Sequence, residues 1–315
     1  MTTPVQNDEI VTIRIGSRGS PLAVQQAEDF AARFVEACNI PVQTEIVTFT
    51  TSGDQLLDKR LQDAGGKGLF TRELDVAQLD GEVDIAVHSL KDVPNDIEDG
   101  LEISCFLARE DARDALIGPF QSLLDLPLSA VLGTASLRRG AQALALRPDL
   151  EIVMFRGNVQ TRLRKLDEGR ADATLLATAG LNRLNMLDKA AAIVPVDHML
   201  PAVGQGIVCA TIRYDADDFI RTACKAIDTP ASRLAATAER AFLKRLDGSC
   251  RTPIAAYFRE TESGVLITGE VLKEDGSKRW RAEKFLDHTP NLEEAESLGL
   301  ALANEVIALR GKDKE

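Results

Sequence analysis

The chain predicts an α/β fold, parallel sheet with crossover helices through the first two-thirds, followed by a separate small α+β domain. Three observations predict it. Short β-branched runs alternate with helical patterns; that alternation restarts near Arg113; and beyond Ala231 the order changes to helix, hairpin, helix. The length, 315 residues of which 44% are hydrophobic, suffices for the cores of two or three domains.

The run TIRIG (12–16) reads as the first strand and SPLAVQQAEDFAARFVEAC as the helix after it. Ser20 caps that helix and Pro21 suits its first turn. Ala23, Ala27, Phe30, Phe34 and Ala37 recur at alternating spacings of four and three, which makes one buried face. TEIVTF (44–49) and VDIAVHS (83–89) follow as strands. After the restart come SAVLGTA (129–135), EIVMF (151–155) and ATLLAT (173–178), separated by helices. The first of these helices has Ser136 as N-cap, packs Leu137, Ala141 and Leu144, and ends before Pro148. The second buries Val159, Leu163 and Leu166, keeps Arg162 on another face and stops at Gly169. In the tail, residues 231–246 align Leu234, Ala238, Ala241 and Leu246 on one side. Two strand-like runs then meet at Asp275-Gly276, a hairpin signal. A last helix, about 291–309, aligns Ala295, Gly299, Leu302, Val306 and Leu309.

With 49 acidic against 37 basic side chains the net charge is -12, which disfavours nucleic acid or an anionic membrane as partner. MTTPVQNDEI lacks the apolar stretch of a signal peptide, and no apolar run approaches the ~18 residues of a membrane span. Five scattered cysteines without a CxxC argue against a disulfide framework or a zinc site, and three isolated histidines offer no metal cluster. A cytoplasmic protein without a metal is expected.

In open parallel α/β sheets, ligands bind beyond the carboxyl ends of the strands. Five such tips carry a cation. Arg18 lies between Ser17 and Ser20; Lys91 and Asp92 follow VDIAVHS; Ser136, Arg138 and Arg139 follow SAVLGTA; Arg156 follows EIVMF; Arg183 lies beyond ATLLAT. Residues 134–183 contain eight arginines and one lysine. The planar guanidinium suits bidentate recognition of carboxylate or phosphate, and Arg138 and Arg139 stand at a helix N-terminus, itself favourable to anions. One arginine alone most simply pairs with a surface Asp or Glu. Convergence of several on strand tips in an acidic chain points instead to a small, carboxylate-rich polyanion, each charge-assisted bond contributing roughly 1.5–3 kcal/mol.

Asp92 is a lone carboxylate among these cations. It suits a salt bridge to Lys91 or an arginine, a turn cap before Pro94, or a ligand N–H or developing cation. Gly65-Gly66-Lys67-Gly68 lacks the GxxxxGK(S/T) spacing and reads as a mobile loop, with Phe70 able to stack on a flat ligand. PAVGQG (201–206) reads as a hinge. In KRLDGSCRTPI, Cys250 follows a helix C-terminus, whose dipole disfavours the thiolate, while Arg251 favours it; no histidine signature accompanies it.

Taken together, IGSRGSPLAVQQA, TSGD, GGKGLFTREL, DIAVHSLKDVP, LGTASLRRGAQ, FRGNVQTRLRKLDEG, AGLNRL, LPAVGQG and AERAFLKRLDGSCRTPIAAY resemble, in this order from Ile15 to Tyr257, the porphobilinogen deaminase (hydroxymethylbilane synthase) family. Departures are mild: Leu90 where Met is frequent, Ala135 where Ser is common, Ser249 where Gly is frequent. The resemblance implies two periplasmic-binding-protein-like domains with a cleft between them, plus a small α+β C-terminal domain, divided as 10–108 with 203–227, 109–202, and 228–315. It implies head-to-tail polymerisation of four porphobilinogen molecules with loss of ammonia, on a dipyrromethane cofactor joined by thioether to Cys250, in a monomer. Arg18, Lys91, Arg138, Arg139, Arg156, Arg162 and Arg183 would hold acetate and propionate groups. Ser20, Ser89, Thr134 and Ser136 would add hydrogen bonds, Phe70 would stack, and Asp92, with Lys91, would be catalytic by facing the pyrrole N–H groups. A carboxylate there stabilises the azafulvenium cation left when ammonia departs. An arginine-lined cleft also suits a reversible anion binder, which predicts neither a covalent adduct nor ammonia release.

Overall fold

The computed structural model describes residues 10–55, 68–246 and 252–312. Cys250 and the segment Gly65-Gly66-Lys67 lie outside the described residues.

The first sheet contains β1 (Val11–Arg18), β2 (Val42–Phe49), β3 (Ile85–Ser89), β4 (Leu101–Phe106) and β10 (Val208–Arg213), in the order β2-β1-β3-β10-β4. The second contains β5 (Asp114–Ile117), β6 (Val131–Gly133), β7 (Glu151–Val153), β8 (Ala173–Ala177) and β9 (Ala192–Ile193), in the order β7-β6-β8-β5-β9. In each, three strands run parallel, β1 beside β2 and β3, β6 beside β7 and β8. One strand then turns the direction: β10 is antiparallel to β3 and β4, and β5 to β8 and β9. The expectation of parallel sheet holds for β1 to β3 and for β6 to β8, and the added antiparallel strands make both sheets mixed. All six strands read from the sequence are the parallel ones. The other four, β4, β5, β9 and β10, were missed because a parallel pair leaves a crossover helix between its strands as a local signal, whereas β5 and β10 find their partners across a chain crossing. Those crossings are residues 107–113 and 194–207.

Helices α1 (Pro21–Ala37), α2 (Ser52–Gln55), α3 (Arg72–Leu79) and α7 (Asp218–Ile227) accompany the first sheet in the chain, and α4 (Leu137–Leu146), α5 (Val159–Asp167) and α6 (Thr178–Arg183) the second. Ser20 Oγ caps α1 by accepting from Ala23 N at 3.3 Å, with Pro21 in the first turn. Ala27, Phe30 and Phe34 are buried as the periodicity requires, against Ile13, Ile15 and Ile85. Each fully buried side chain of this size contributes about 1.5–3 kcal/mol. Ala23 and Ala37 remain half-buried at the helix ends, and Gln26 is buried instead. Its amide is satisfied by Ser89 Oγ, at 3.0 and 3.1 Å.

The third sheet is antiparallel, β11 (Ile254–Thr261), β12 (Gly264–Leu272) and β13 (Arg279–Leu286), covered by α8 (Pro230–Arg245) and α9 (Leu292–Lys312). It has three strands where two were expected; the hairpin at Asp275-Gly276 joins the last two, with Gly276 at φ 71°. Phe242, Leu302 and Val306 are completely buried in its core. Gly299 lets α9 lie directly on α8, since a Cβ there would collide with the Ala238 carbonyl. Glu239 of α8, fully buried, ties this domain to both crossings: it accepts from Arg109 Nη1 at 2.6 Å, Gly204 N at 2.7 Å and Phe258 N at 2.8 Å.

Candidate active site

β1 delivers Arg18 at its carboxyl end. The guanidinium forms a close pair with Asp54, lies 3.5 Å from Asp92 Oδ2, and stacks over the Phe70 ring at 4.3 Å. β3 ends at Ser89 and passes into a single 3-10 turn, Leu90–Asp92. Leu90 is buried and its N–H donates to Ile207 O at 3.0 Å, so the turn is pinned from below and presents Lys91 and Asp92 outward. Lys91 is reached by water, yet protein crowds it at longer range. That crowding pushes its ammonium down to about 8, with Asp92 opposing and Arg139 and Arg138 contributing from the second sheet.

From the second sheet, β6 leads to Thr134, whose Oγ1 accepts from Ser136 N at 3.1 Å. Ser136 caps α4, accepting from Arg139 N at 3.4 Å. Arg138 and Arg139, both buried, enclose Asp114: Arg138 Nη1 is 2.8 Å from Oδ2 and Arg139 Nη2 is 2.7 Å from Oδ1. Burial opposes ionisation of Asp114, but the two guanidiniums outweigh it and hold the carboxyl well below its usual range. Arg156, beyond β7, is also buried. Arg162 on α5 donates to Gly157 O at 2.9 Å. Gly157, at φ 112°, accommodates Thr161 where a Cβ would stand 2.6 Å from its methyl. Burial, then Arg139 and Arg156, push Arg162 down to about 10, while Asp92 acts in the opposite sense.

The structure thus brings Arg18, Lys91, Asp92, Arg138, Arg139, Arg156 and Arg162 into one electrostatic neighbourhood, with Phe70 at its edge. Arg183 stands apart: it donates to Gly206 O at 2.9 Å and its charged neighbours are Glu110, Asp29 and Arg33. The hydroxyls of Ser20, Ser89, Thr134 and Ser136 have local partners first, three of them capping or bracing a turn. Of the eight arginines between 134 and 183, three follow the plain pairing alternative. Arg147 binds Asp149 and four carbonyls including Leu126 O, and Arg164 and Arg170 pair with Glu168.

Sequence reasoning missed Asp54, Asp114 and Gln205. Asp54 belongs to the TSGD stretch and its carboxylate, held low by Arg18 and Thr51 against the cost of burial, shares Arg18 with Asp92. Asp114 was signalled only by an acid opening the apolar run DALIG. Gln205, buried in the PAVGQG turn, donates to Asp114 Oδ1 at 2.9 Å and Ala112 O at 2.6 Å.

The chain that builds this cluster of cations and acids has clear sequence relatives. The family model described as "Porphobilinogen deaminase, dipyromethane cofactor binding domain" matches residues 13–221, and "Porphobilinogen deaminase, C-terminal domain" matches 233–308. A porphobilinogen deaminase of Nitrobacter winogradskyi is 49% identical over 280 residues, 88% of this chain and 88% of that one. A chloroplastic porphobilinogen deaminase of Pisum sativum is 43% identical over 97% of this chain and 84% of its own length. Among solved structures, a TRAP periplasmic solute binding protein from Desulfovibrio salexigens aligns over 96% of each chain, with TM-score 0.46 and 10% identity. On the strength of the two family models and the near-full-length identities, the chain belongs to the porphobilinogen deaminase family.

Proposed function

We propose that the neighbourhood joining Lys91 and Asp92 to Arg138, Arg139, Arg156 and Arg162 is where this chain holds its cofactor and substrate, and that Asp92 and Lys91 are its catalytic pair. The reaction is the family's: stepwise head-to-tail polymerisation of porphobilinogen with loss of ammonia on a dipyrromethane primer, and hydrolytic release of hydroxymethylbilane, in tetrapyrrole biosynthesis.

The observation that carries the site reading is an excess of positive charge across the two sheets. The cations acting on Lys91 and Arg162 are Arg138, Arg139 and Arg156; the carboxylates are Asp92 and Asp114. Asp114 is already enclosed by two guanidiniums, so a ligand bearing several carboxylates fits this donor set. Dipyrromethane, when bound, supplies the free pyrrole carbon that extends the chain. Arg138, Arg139, Arg156, Arg162 and Lys91 hold carboxylates; Arg18 orients Asp92 and, over Phe70, closes the edge of the site. The donor hydrogens of Ser20, Thr134 and Ser136 complete the binding set, with Ser89 acting beside Gln26, while Arg183, expected there, is instead held by Gly206 O and Glu110. Asp92 stabilises positive charge developing at a pyrrole nitrogen and accepts or returns its proton. Lys91, near 8, is a cation that readily shares a proton close to neutral pH.

Cys250 anchors the cofactor by thioether within this reading, and the division into 10–108 with 203–227, 109–202 and 228–315 describes its three domains. The protein acts as a cytoplasmic monomer. No helix among the described residues is long and apolar enough to cross a membrane. Intact-protein mass spectrometry tests the anchor: the chain carries an added dipyrromethane mass that maps to Cys250 and is lost in Cys250→Ser. A bare 34.2 kDa chain from an active preparation overturns it.

A further inference from the structure

Arg138 enters the site from α4, and the helix face it shares with Ala141 and Ala145 meets the third domain. The hairpin β12–β13 lays its tip on the α4 backbone: a Cβ at Gly276 would stand 2.5 Å from Ala145 N and 2.8 Å from Ala141 O. On the same hairpin Glu270 is completely buried. Its Oε2 accepts from Arg279 Nε at 2.6 Å and lies 3.9 Å from Arg281 Nη1. Arg138 is its third charged neighbour, from across the boundary between the second and third sheets.

Glu270 Oε1, Arg279 Nη2 and Arg138 Nε are buried and lack a hydrogen-bond partner among the described residues, so Glu270 acts on Arg138 through charge across the boundary and not through a hydrogen bond. Arg138 Nη1 is taken up by Leu200 O at 2.7 Å and by Asp114. A guanidinium pulled by Asp114 alone would settle toward β5, where Arg139 already serves that carboxylate. A second carboxylate, on the hairpin packed against the same helix face, opposes that pull by its charge and keeps the remaining edge of the fork for a ligand.

We propose that Glu270 is a positioning residue for the reaction: from the third domain it sets where the Arg138 guanidinium meets ligand carboxylates. This rests on the reading that Arg138 binds such carboxylates. The domain that carries Cys250 in sequence thereby also aims a binding arginine of the second sheet, which couples the placement of the anchored end to that of the carboxylate-binding end.

A double-mutant cycle on the holoenzyme tests this, with Glu270→Gln, Arg138→Lys and the pair. Glu270→Gln raises KM for porphobilinogen about threefold to tenfold with kcat within about twofold, and adds under about 1.5-fold in the Arg138→Lys background. Hydrogen exchange without substrate supplies a second readout: amides 137–140 of α4 exchange about tenfold faster in Glu270→Gln, while α9 is unchanged. If Glu270→Gln does not fold, the apolar pair Glu270→Leu/Arg279→Leu replaces it, since exchanging a buried ion pair for packed hydrophobes is often tolerated. An unchanged KM, the same KM factor in both backgrounds, or faster exchange throughout the third domain overturns the proposal. Arg138→Lys without effect on KM overturns the Arg138 reading and this proposal together; an inert Glu270→Gln beside an impaired Arg138→Lys overturns this proposal alone.

Discussion

The two five-stranded sheets have one strand order and one pattern of directions, yet they treat charge in opposite ways. In the first, Arg18 is shared between Asp54 and Asp92, and all three side chains keep 21–27% of their surface in water. In the second, Arg138 and Arg139 close around Asp114 with 7%, 6% and 0% exposed. The carboxyl ends of parallel strands therefore supply an accessible carboxylate from one sheet, after β3, and dehydrated guanidiniums from the other, after β6. A reaction that develops positive charge on a polyacidic substrate needs both.

The largest effect that sharpens this contrast is expected at Asp92. Its ion pair among the described residues is a single 3.5 Å contact to Arg18, so Asp92→Ala folds with its melting temperature little changed, while kcat for ammonia release falls by at least about 10²–10³. Near-normal turnover would remove Asp92 from the mechanism. In the second sheet the same kind of change acts on stability. Asp114→Asn leaves two buried guanidiniums without their counter-charge and costs about 3–5 kcal/mol, read by denaturant unfolding.

Acid separates the halves as well. Burial, then Arg18, push His88 down to about 4 from its ordinary 6.5. Between those values the unfolded chain binds the extra proton, so stability is lost as pH falls from about 6.5 toward 4, by up to roughly 3 kcal/mol. His88→Gln removes that part of the acid dependence; an unaltered profile would show that His88 does not carry it. Lys91 acts at the other end of the scale. With its pKa at about 8, its charge fades above neutrality and KM for porphobilinogen rises a few-fold, about threefold between pH 7 and 9. The depressed pKa also means that stability rises with pH between about 8 and 10.5, where the unfolded chain holds the extra proton. Lys91→Met flattens both trends. The smallest effect is expected at Asp54: its pair with Arg18 is partly exposed, and Asp54→Asn costs no more than about 1 kcal/mol. A loss equal to that of Asp114→Asn would break the comparison.

Much of this was legible in the residues. The cap at Ser20, the buried face of α1, the N-cap at Ser136 and all six parallel strands follow from local spacing, because a strand, a cap and a crossover helix lie next to one another in the chain. The placement of Lys91, Arg138, Arg139 and Arg156 beyond strand ends follows in the same way. Their local environment does not. Nothing near Asp114 in sequence says that it sits between two arginines 24 and 25 positions away, or that Gln205 reaches it through a returning crossing. Arg183 and Arg156 look alike in the chain; one meets Glu110 and Asp29, the other joins the cation neighbourhood.

The chain alone therefore determined the helix and strand tips, since these depend on residue type and short-range periodicity, and its motif resemblance carried the family and the cofactor class. Only the tertiary structure decided which cations share a carboxylate, that both sheets are mixed, and that Glu270 and Arg138 are charged neighbours. Burial and charge pairing are set by which segments fold against one another, and at 3–4 Å that distance is unrelated to separation along the sequence.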